Sequence, residues 1–284
     1  MNFNIKKFNM DMIRDRCALD SKKAPMIVLV GKRDTGKSFL VKDILANCRD
    51  SFPIGTVISG SEVASPFFQD LVPSKLIHDK YNPNIVMGAI KRQMAVKQAR
   101  NQEMRSGHHS NVDPRAFLIL DDCLYDKTWM NEESTRYVFM NGRHIDLMTM
   151  ITMQYPLGVP PTFRTNVDYV FILRENYISN RRRLYDHYAG MFPTFQMFCQ
   201  FMDQCTENYE CLVICNGVQS NRLEDQVFWY KAKPHEEFQL CDRSLWADNK
   251  PFMSTMLKMG EFNPNDYRKT KGPSVWVKKD GKPG

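Results

Sequence analysis

The 284-residue chain is 43% hydrophobic and 25% charged, which suits one large α/β domain with a short appendage. No stretch approaches the roughly 20 apolar residues of a membrane span, and the N-terminal residues lack a signal-peptide core, so a transmembrane or secreted chain is not expected. The net charge of +7 is unevenly spread, and the eight cysteines form no C-x-x-C pair or Cys/His metal pattern.

The first strong element is the apolar run Met26–Val30, read as a buried strand. Gly31, Lys32, Arg33, Asp34, Thr35, Gly36, Lys37 and Ser38 follow and match the phosphate-binding P-loop, G-x-x-x-x-G-K-S/T. A helix is predicted over Ser38–Asn47, so the motif lies between strand and helix, as a P-loop must. Glycines let backbone N–H groups wrap phosphate oxygens, and the helix N-terminus adds partial positive charge. These eight residues and Phe39 are the candidate nucleotide-binding set. Lys37 is expected to reach the β- and γ-phosphates, and Ser38 to hold Mg²⁺. A nucleoside triphosphate, ATP with Mg²⁺, is the expected ligand.

Further apolar runs predict strands at Thr56–Ser59, Ala116–Leu120, Leu147–Thr152, Val167–Leu173, Cys211–Cys215 and Val227–Tyr230. Most are apolar throughout rather than alternating, as in strands buried on both faces of a parallel sheet. Helices are predicted between them, at Ile85–Met104, Glu132–Asn141 and around Arg181–Ala189. The expected fold is therefore α/β, a mainly parallel sheet sandwiched by helices. The loop Arg105–Pro114 is polar and turn-rich, and its His108 and His109 read as exposed residues without companions at metal-ligand spacing. Cys199, Cys205, Cys211 and Cys215 read as free thiols near strand-like residues, and beside a P-loop they fit a reducing intracellular compartment.

Phe117-Leu118-Ile119-Leu120-Asp121-Asp122 has the Walker B form, a buried strand delivering a carboxylate to its C-terminal end. Asp121 is expected to orient Mg²⁺ opposite Ser38. Asp122 is the candidate base that directs or deprotonates the attacking water, or else a cap on the following turn. Gln154 closes the run from Leu147 and can bridge γ-phosphate and water at the same edge. Positive charge on the developing γ-phosphate can come from Arg33 within its own chain, or from Arg143, Arg164 or the Arg181–Arg183 cluster acting on a neighbouring subunit. Basic residues also cluster at Lys91, Arg92, Lys97, Arg100 and Arg105, and in a tail from Arg268 through Lys282. Such patches suit a polyanion such as nucleic acid, or are ordinary solvated faces. The expected organisation is an N-terminal segment 1–24, a core 25–231, and an extension 232–284 with a basic tail.

In motif order over roughly residues 20 to 230, this combination resembles the DNA-packaging ATPases of large double-stranded DNA viruses, the poxvirus-like group related to the FtsK–HerA motors. The P-loop, Asp121-Asp122, Gly142-Arg143-His144 before a strand, that strand ending in Gln154, and Pro160–Asp168 carry the likeness. It implies a RecA-like core assembled into a homo-oligomeric ring, driving sequence-independent translocation of double-stranded DNA into a capsid. It also implies a capsid or inner-membrane protein as partner, with the chain itself not transmembrane. The expected location is the host cytoplasm at assembly sites, or the virion. Arg143 is one candidate arginine finger, with Arg33 the alternative within its own chain, and which arginine acts in trans stays open. On this likeness the Lys91–Arg105 helix is a candidate lining for the DNA channel. A GTPase would need a guanine-reading N-K-x-D segment, which is absent. A helicase, a membrane-associated remodeller, a nucleoside or nucleotide kinase, and a scaffold that binds nucleotide without turnover remain alternatives.

Overall fold

The computed structural model describes residues 4–252 apart from 20, 22, 108, 124–128, 130, 157, 158 and 248. His108 and the basic tail Arg268–Lys282 lie outside the described residues. The strands are β1 (Lys6–Lys7), β2 (Met26–Val30), β3 (Ile54–Ser59), β4 (Ile77–His78), β5 (Ala116–Asp121), β6 (Leu147–Met153), β7 (Tyr169–Ile172), β8 (Glu210–Cys215) and β9 (Val227–Lys231). They form one nine-stranded sheet in the order β1-β9-β8-β7-β2-β6-β5-β3-β4. Only β8 runs against the others, pairing antiparallel with β7 and β9. The helices are α1 (Asp11–Arg16), α2 (Lys37–Asn47), α3 (Pro83–Arg105), α4 (Glu133–Asn141), α5 (Pro161–Arg164), α6 (Ile178–Tyr188), α7 (Phe195–Cys205) and α8 (Leu223–Gln226).

The unbroken apolar runs have a direct cause: both faces of the sheet are covered. Along β2, Met26, Val28 and Val30 face the core shared with α3, α4, α6 and α7. Ile27 and Leu29 face the core shared with α1 and α2. Strand β5 repeats the division, with Leu118 and Leu120 on the first side and Phe117 and Ile119 on the second. Period-two alternation persists in direction while both directions are apolar.

Several elements go beyond the predicted ones. Helix α7 buries Phe198, Phe201, Met202 and Cys205, a stripe at helical spacing, and Thr194 caps it by accepting from the Met197 N–H at 3.2 Å. Cys205, Cys211 and Cys215 are buried free thiols, and Cys199 is half-buried. Residues after β9 pack back on the core: Leu240 is buried, its N–H donating to the Leu71 carbonyl at 2.8 Å. In the Arg105–Pro114 loop, Arg105, Ser106, Gly107, His109 and Asn111 are exposed as expected, and two contacts pin the rest. Ser110 is buried and bonds Glu103, and Arg100 donates to the Val112 carbonyl at 2.6 Å. Among the described residues no helix is long and apolar enough to cross a membrane.

Candidate active site

Parallel strands finish at a common edge, so β2, β5 and β6 deliver their last residues to one place. Beyond β2 the chain turns through the P-loop into α2. Gly36 has φ +92°, a left-handed conformation that costs glycine nothing. A side chain at Gly31 would meet Thr35 Oγ1 at 2.8 Å and Leu173 at 2.9 Å, so that position must be bare for the loop to close. Thr35 Oγ1 donates to the Lys32 carbonyl at 2.8 Å and locks the turn. The free N–H groups of the first turn of α2 then point into the concavity, which makes it a ready anion site. Ser38 and Phe39 are exposed on that turn.

The reactive side chains meet here. Lys37 is buried, and its Nζ donates to both carboxylate oxygens of Asp122 at 2.6 Å. Gln154 Nε2 donates to Asp122 Oδ2 at 3.0 Å. Asp122 sits at φ +44° on the turn leaving β5, its N–H donating to Thr152 Oγ1 at 3.1 Å. Asp121 is one residue back and differently held. Thr152 Oγ1 donates to its Oδ1 at 2.6 Å, and Ser59 Oγ to its Oδ2 at 2.8 Å. Register explains this, since Ser59, Asp121 and Thr152 are direct partners across β3, β5 and β6.

Burial pushes the Asp121 carboxyl above its ordinary range, with the neighbouring Asp122 adding to the rise against the two hydroxyl donors. A buried acid short of positive charge is what a divalent cation relieves. Asp121 and the Ser38 hydroxyl on the facing loop are hard oxygen donors suited to Mg²⁺. The bare Gly31 and left-handed Gly36 fit a phosphate chain in the loop. These residues therefore match a magnesium–triphosphate ligand, whose phosphates would compete with Asp122 for the Lys37 ammonium.

The remaining candidates divide by position. Lys32 Nζ pairs with Glu175 and lies 3.8 Å from the centre of the Tyr177 ring, so its contribution to the cradle is its backbone. Burial raises the Glu175 carboxyl, but bonds from Lys32, the Tyr177 N–H and Asn180 outweigh this and hold it below its ordinary range. Arg33 and Asp34 are exposed at the loop tip. Arg143 is elsewhere. It lies in the turn Gly142–His144 that precedes β6, at the opposite edge of the sheet from Gln154, and donates to the Asn166 carbonyl at 3.2 Å. The length of β6, roughly 3.3 Å per residue, separates it from its own chain's cradle.

Arg164 is spent on the His187 carbonyl at 2.9 Å. Arg181 is a buried structural cation bound to Asp203 at 2.7 Å and to the Glu175 carbonyl at 2.6 Å. Arg182 stacks over Phe195 and Arg183 over Tyr155, next to Gln154. Of the basic helix α3, Lys97 pairs with Asp146 at 2.8 Å, Arg100 holds Val112, and Arg92 is half-buried beside Gln93; Lys91 and Arg105 stay exposed. The sequence reading overlooked Ser59, Thr152 and Glu175. A hydroxyl at the end of each strand flanking Walker B was the available signal for the first two.

No family model matches the sequence. Proteins of large DNA viruses do. The chain is 35% identical over 271 residues to Uncharacterized protein L437 of Acanthamoeba polyphaga mimivirus, covering 95% of this chain and 90% of that one. It is 36% identical over 231 residues to Uncharacterized protein 088R of Invertebrate iridescent virus 3, covering 80% and 84%. The chain belongs to this family of large-DNA-virus proteins. Among solved structures, the pCW3 conjugation coupling protein TcpA, in its monomer form with ATPγS, superposes with a TM-score of 0.50 at 15% identity, over 74% of this chain and 60% of that one. The likeness establishes the chain's fold as that of a P-loop NTPase.

Proposed function

We propose that this chain is a magnesium-dependent ATP hydrolase that drives double-stranded viral DNA into a capsid. The observation that carries the hydrolase reading is the convergence of Lys37, Asp122 and Gln154, with Asp121 beside them, on a glycine cradle at one sheet edge. Mg²⁺, when bound, would neutralise charge on the β- and γ-phosphate oxygens. Lys37 transfers its donors from Asp122 to phosphate. Asp122, released from that pair but still held by Gln154, accepts a hydrogen bond from the attacking water and fixes its direction. Gln154 thereby links the water to the state of the cradle. Membership in a family found in large DNA viruses supports the packaging role, as does the motif order of the packaging ATPases.

Because Arg143 lies at the far edge from its own cradle, it serves a neighbouring copy's phosphate in a homo-oligomeric ring. The partners are sequence-independent DNA and a capsid or inner-membrane protein, and the place of work is the assembly site in the host cytoplasm. The test is ATP turnover by the purified chain with and without double-stranded DNA, run beside light scattering for assembly state. DNA-stimulated hydrolysis by an oligomer is the expected result. A monomer that instead phosphorylates a nucleoside, or a protein without hydrolysis under any condition, overturns the proposal.

A further inference from the structure

A triphosphate in the cradle has a direction. Its reacting end must face Asp122 and Gln154, which lie on the β5–β6 side of β2. Its nucleoside end must therefore leave on the other side, toward β7 and β8. Strand β8 is the antiparallel one, so its first residue, not its last, lies at the cradle edge.

What the chain places there is an aromatic ring. Tyr209, immediately before β8, is 69% exposed, yet a Cβ built on Gly36 would come within 3.3 Å of its ring. An exposed tyrosine thus lies against the P-loop itself. The backbone is bent to put it there. Asn208 and Tyr209 have φ +48° and +63°, and the Glu210 N–H donates to the Glu207 carbonyl at 2.8 Å. Two successive left-handed residues closed by that bond make a type I′ turn. Asparagine is common in such a turn; tyrosine at its second central position is not, and strain of this kind concentrates at ligand sites. The other exposed tyrosine on this side, Tyr177, already has one ring face covered by Lys32.

We infer that Tyr209 is the platform on which the nucleobase of the bound triphosphate stacks, and that it contributes affinity through the base rather than through the phosphates. The inference rests on the nucleotide reading of the cradle. A π-face serves any base, so this platform grips ATP and GTP alike.

The test compares binding of MgATP, MgGTP and magnesium tripolyphosphate, which has phosphates and no base, to the full chain by titration calorimetry. Tyr209→Ala should raise Kd for both nucleotides roughly tenfold, within the range known for base–aromatic stacking, and leave tripolyphosphate binding unchanged. Tyr209→Trp should restore nucleotide affinity and show indole quenching when ATP binds but not when tripolyphosphate does. Because the side chain is exposed, the alanine variant is expected to fold, which its melting curve checks. Unchanged nucleotide affinity in a folded Tyr209→Ala protein overturns the platform while leaving the nucleotide site intact. An equal loss for nucleotide and tripolyphosphate also overturns it, making the ring a brace for the loop. A wild-type chain that binds neither nucleotide removes the underlying reading and this one with it.

Discussion

Asp122 and Asp43 are both carboxylates tied to α2, and the contrast between them separates a working acid from a structural one. Asp43 lies six residues along α2 from Lys37, with no exposed surface. It accepts from Asn47 Nδ2 at 3.0 Å, Tyr230 Oη at 2.6 Å and the Lys233 N–H at 3.1 Å, and bonds His235 Nε2 at 2.5 Å. Those partners come from α2, the end of β9 and the segment beyond it, so Asp43 ties the chain after β9 to the helix that carries the P-loop. Asp122 is held by two side chains that border the cradle, and one of them is the lysine phosphate would recruit. A closed set of donors makes a clamp. Donors that a ligand can claim make a switch.

Substituting each acid breaks this comparison in opposite ways, and the effect at Asp122 is the larger. Asp122→Asn keeps the shape and the Gln154 contact but cannot take a proton or orient water as strongly. Turnover should fall roughly 10²–10⁴-fold, the usual weight of general-base catalysis, while ATP affinity holds or rises because Lys37 is freed. Steady-state hydrolysis beside equilibrium binding measures both. An Asp122→Asn protein that turns over at the wild-type rate would move the base elsewhere.

Asp43→Ala should do the reverse. It leaves the buried Tyr230 hydroxyl and the half-buried His235 without their acceptor, which costs about 3 kcal/mol of folding stability. Urea unfolding should show that loss, while ATP affinity per folded molecule stays unchanged. A stable Asp43→Ala protein with impaired nucleotide binding would make Asp43 part of the cradle and erase the distinction drawn above.

The same contrast shows what was legible in the sequence. Residues that act through contiguous chain, such as Gly31–Ser38 and Phe117–Asp122, were readable because strand, turn and helix follow one another locally. Ser59 and Thr152 were not, because their meeting with Asp121 depends on which strands flank β5 and in what register. The same limit hid the Asp43 clamp, whose partners Lys233 and His235 lie some 190 positions away. The reversal of β8 was equally invisible, since a strand buried on both faces has the same composition in either direction. The two-residue strands β1 and β4 are too short to carry a pattern. Helix α7 carries a readable signal, Thr194 as a cap and the spacing of Phe198, Phe201, Met202 and Cys205. Yet no element is predicted there, because Cys199 and Cys205 read with Cys211 and Cys215 as free thiols near strand-like residues.

A smaller effect tests Asp121, the companion acid. Its carboxyl titrates above the ordinary value of 3.8, with burial the largest cause. An acid whose folded pKa is raised binds its proton more tightly in the native state. Its contribution to stability is complete below the unfolded pKa and is lost as pH rises through the folded one. Asp121→Asn removes that loss. Its melting temperature should exceed wild type at pH 7, and the gap should close as pH falls toward 3.8. Melting curves across that range check this, and a pH-independent gap would mean that burial of the charge is not what strains the site.

The smallest effect concerns α3. Its basic residues read as one patch in the sequence, but Lys97 and Arg100 are committed to Asp146 and Val112, and Arg92 is half-buried, its basicity lowered by desolvation. Only the exposed Lys91 and Arg105 are free to meet phosphate. Each phosphate contact adds about 0.9 to the slope of log binding constant against log salt. Replacing Lys91 and Arg105 by Gln should therefore lower that slope for double-stranded DNA by at most about 2. Lys97→Gln should change stability through its ion pair and leave the slope alone. Filter-binding titrations at several salt concentrations separate the two. If Lys97→Gln lowers the slope as much as the double variant does, its ion pair opens for DNA and the whole helix face is available. If neither changes it, α3 is a solvated face and the DNA path lies elsewhere on the ring.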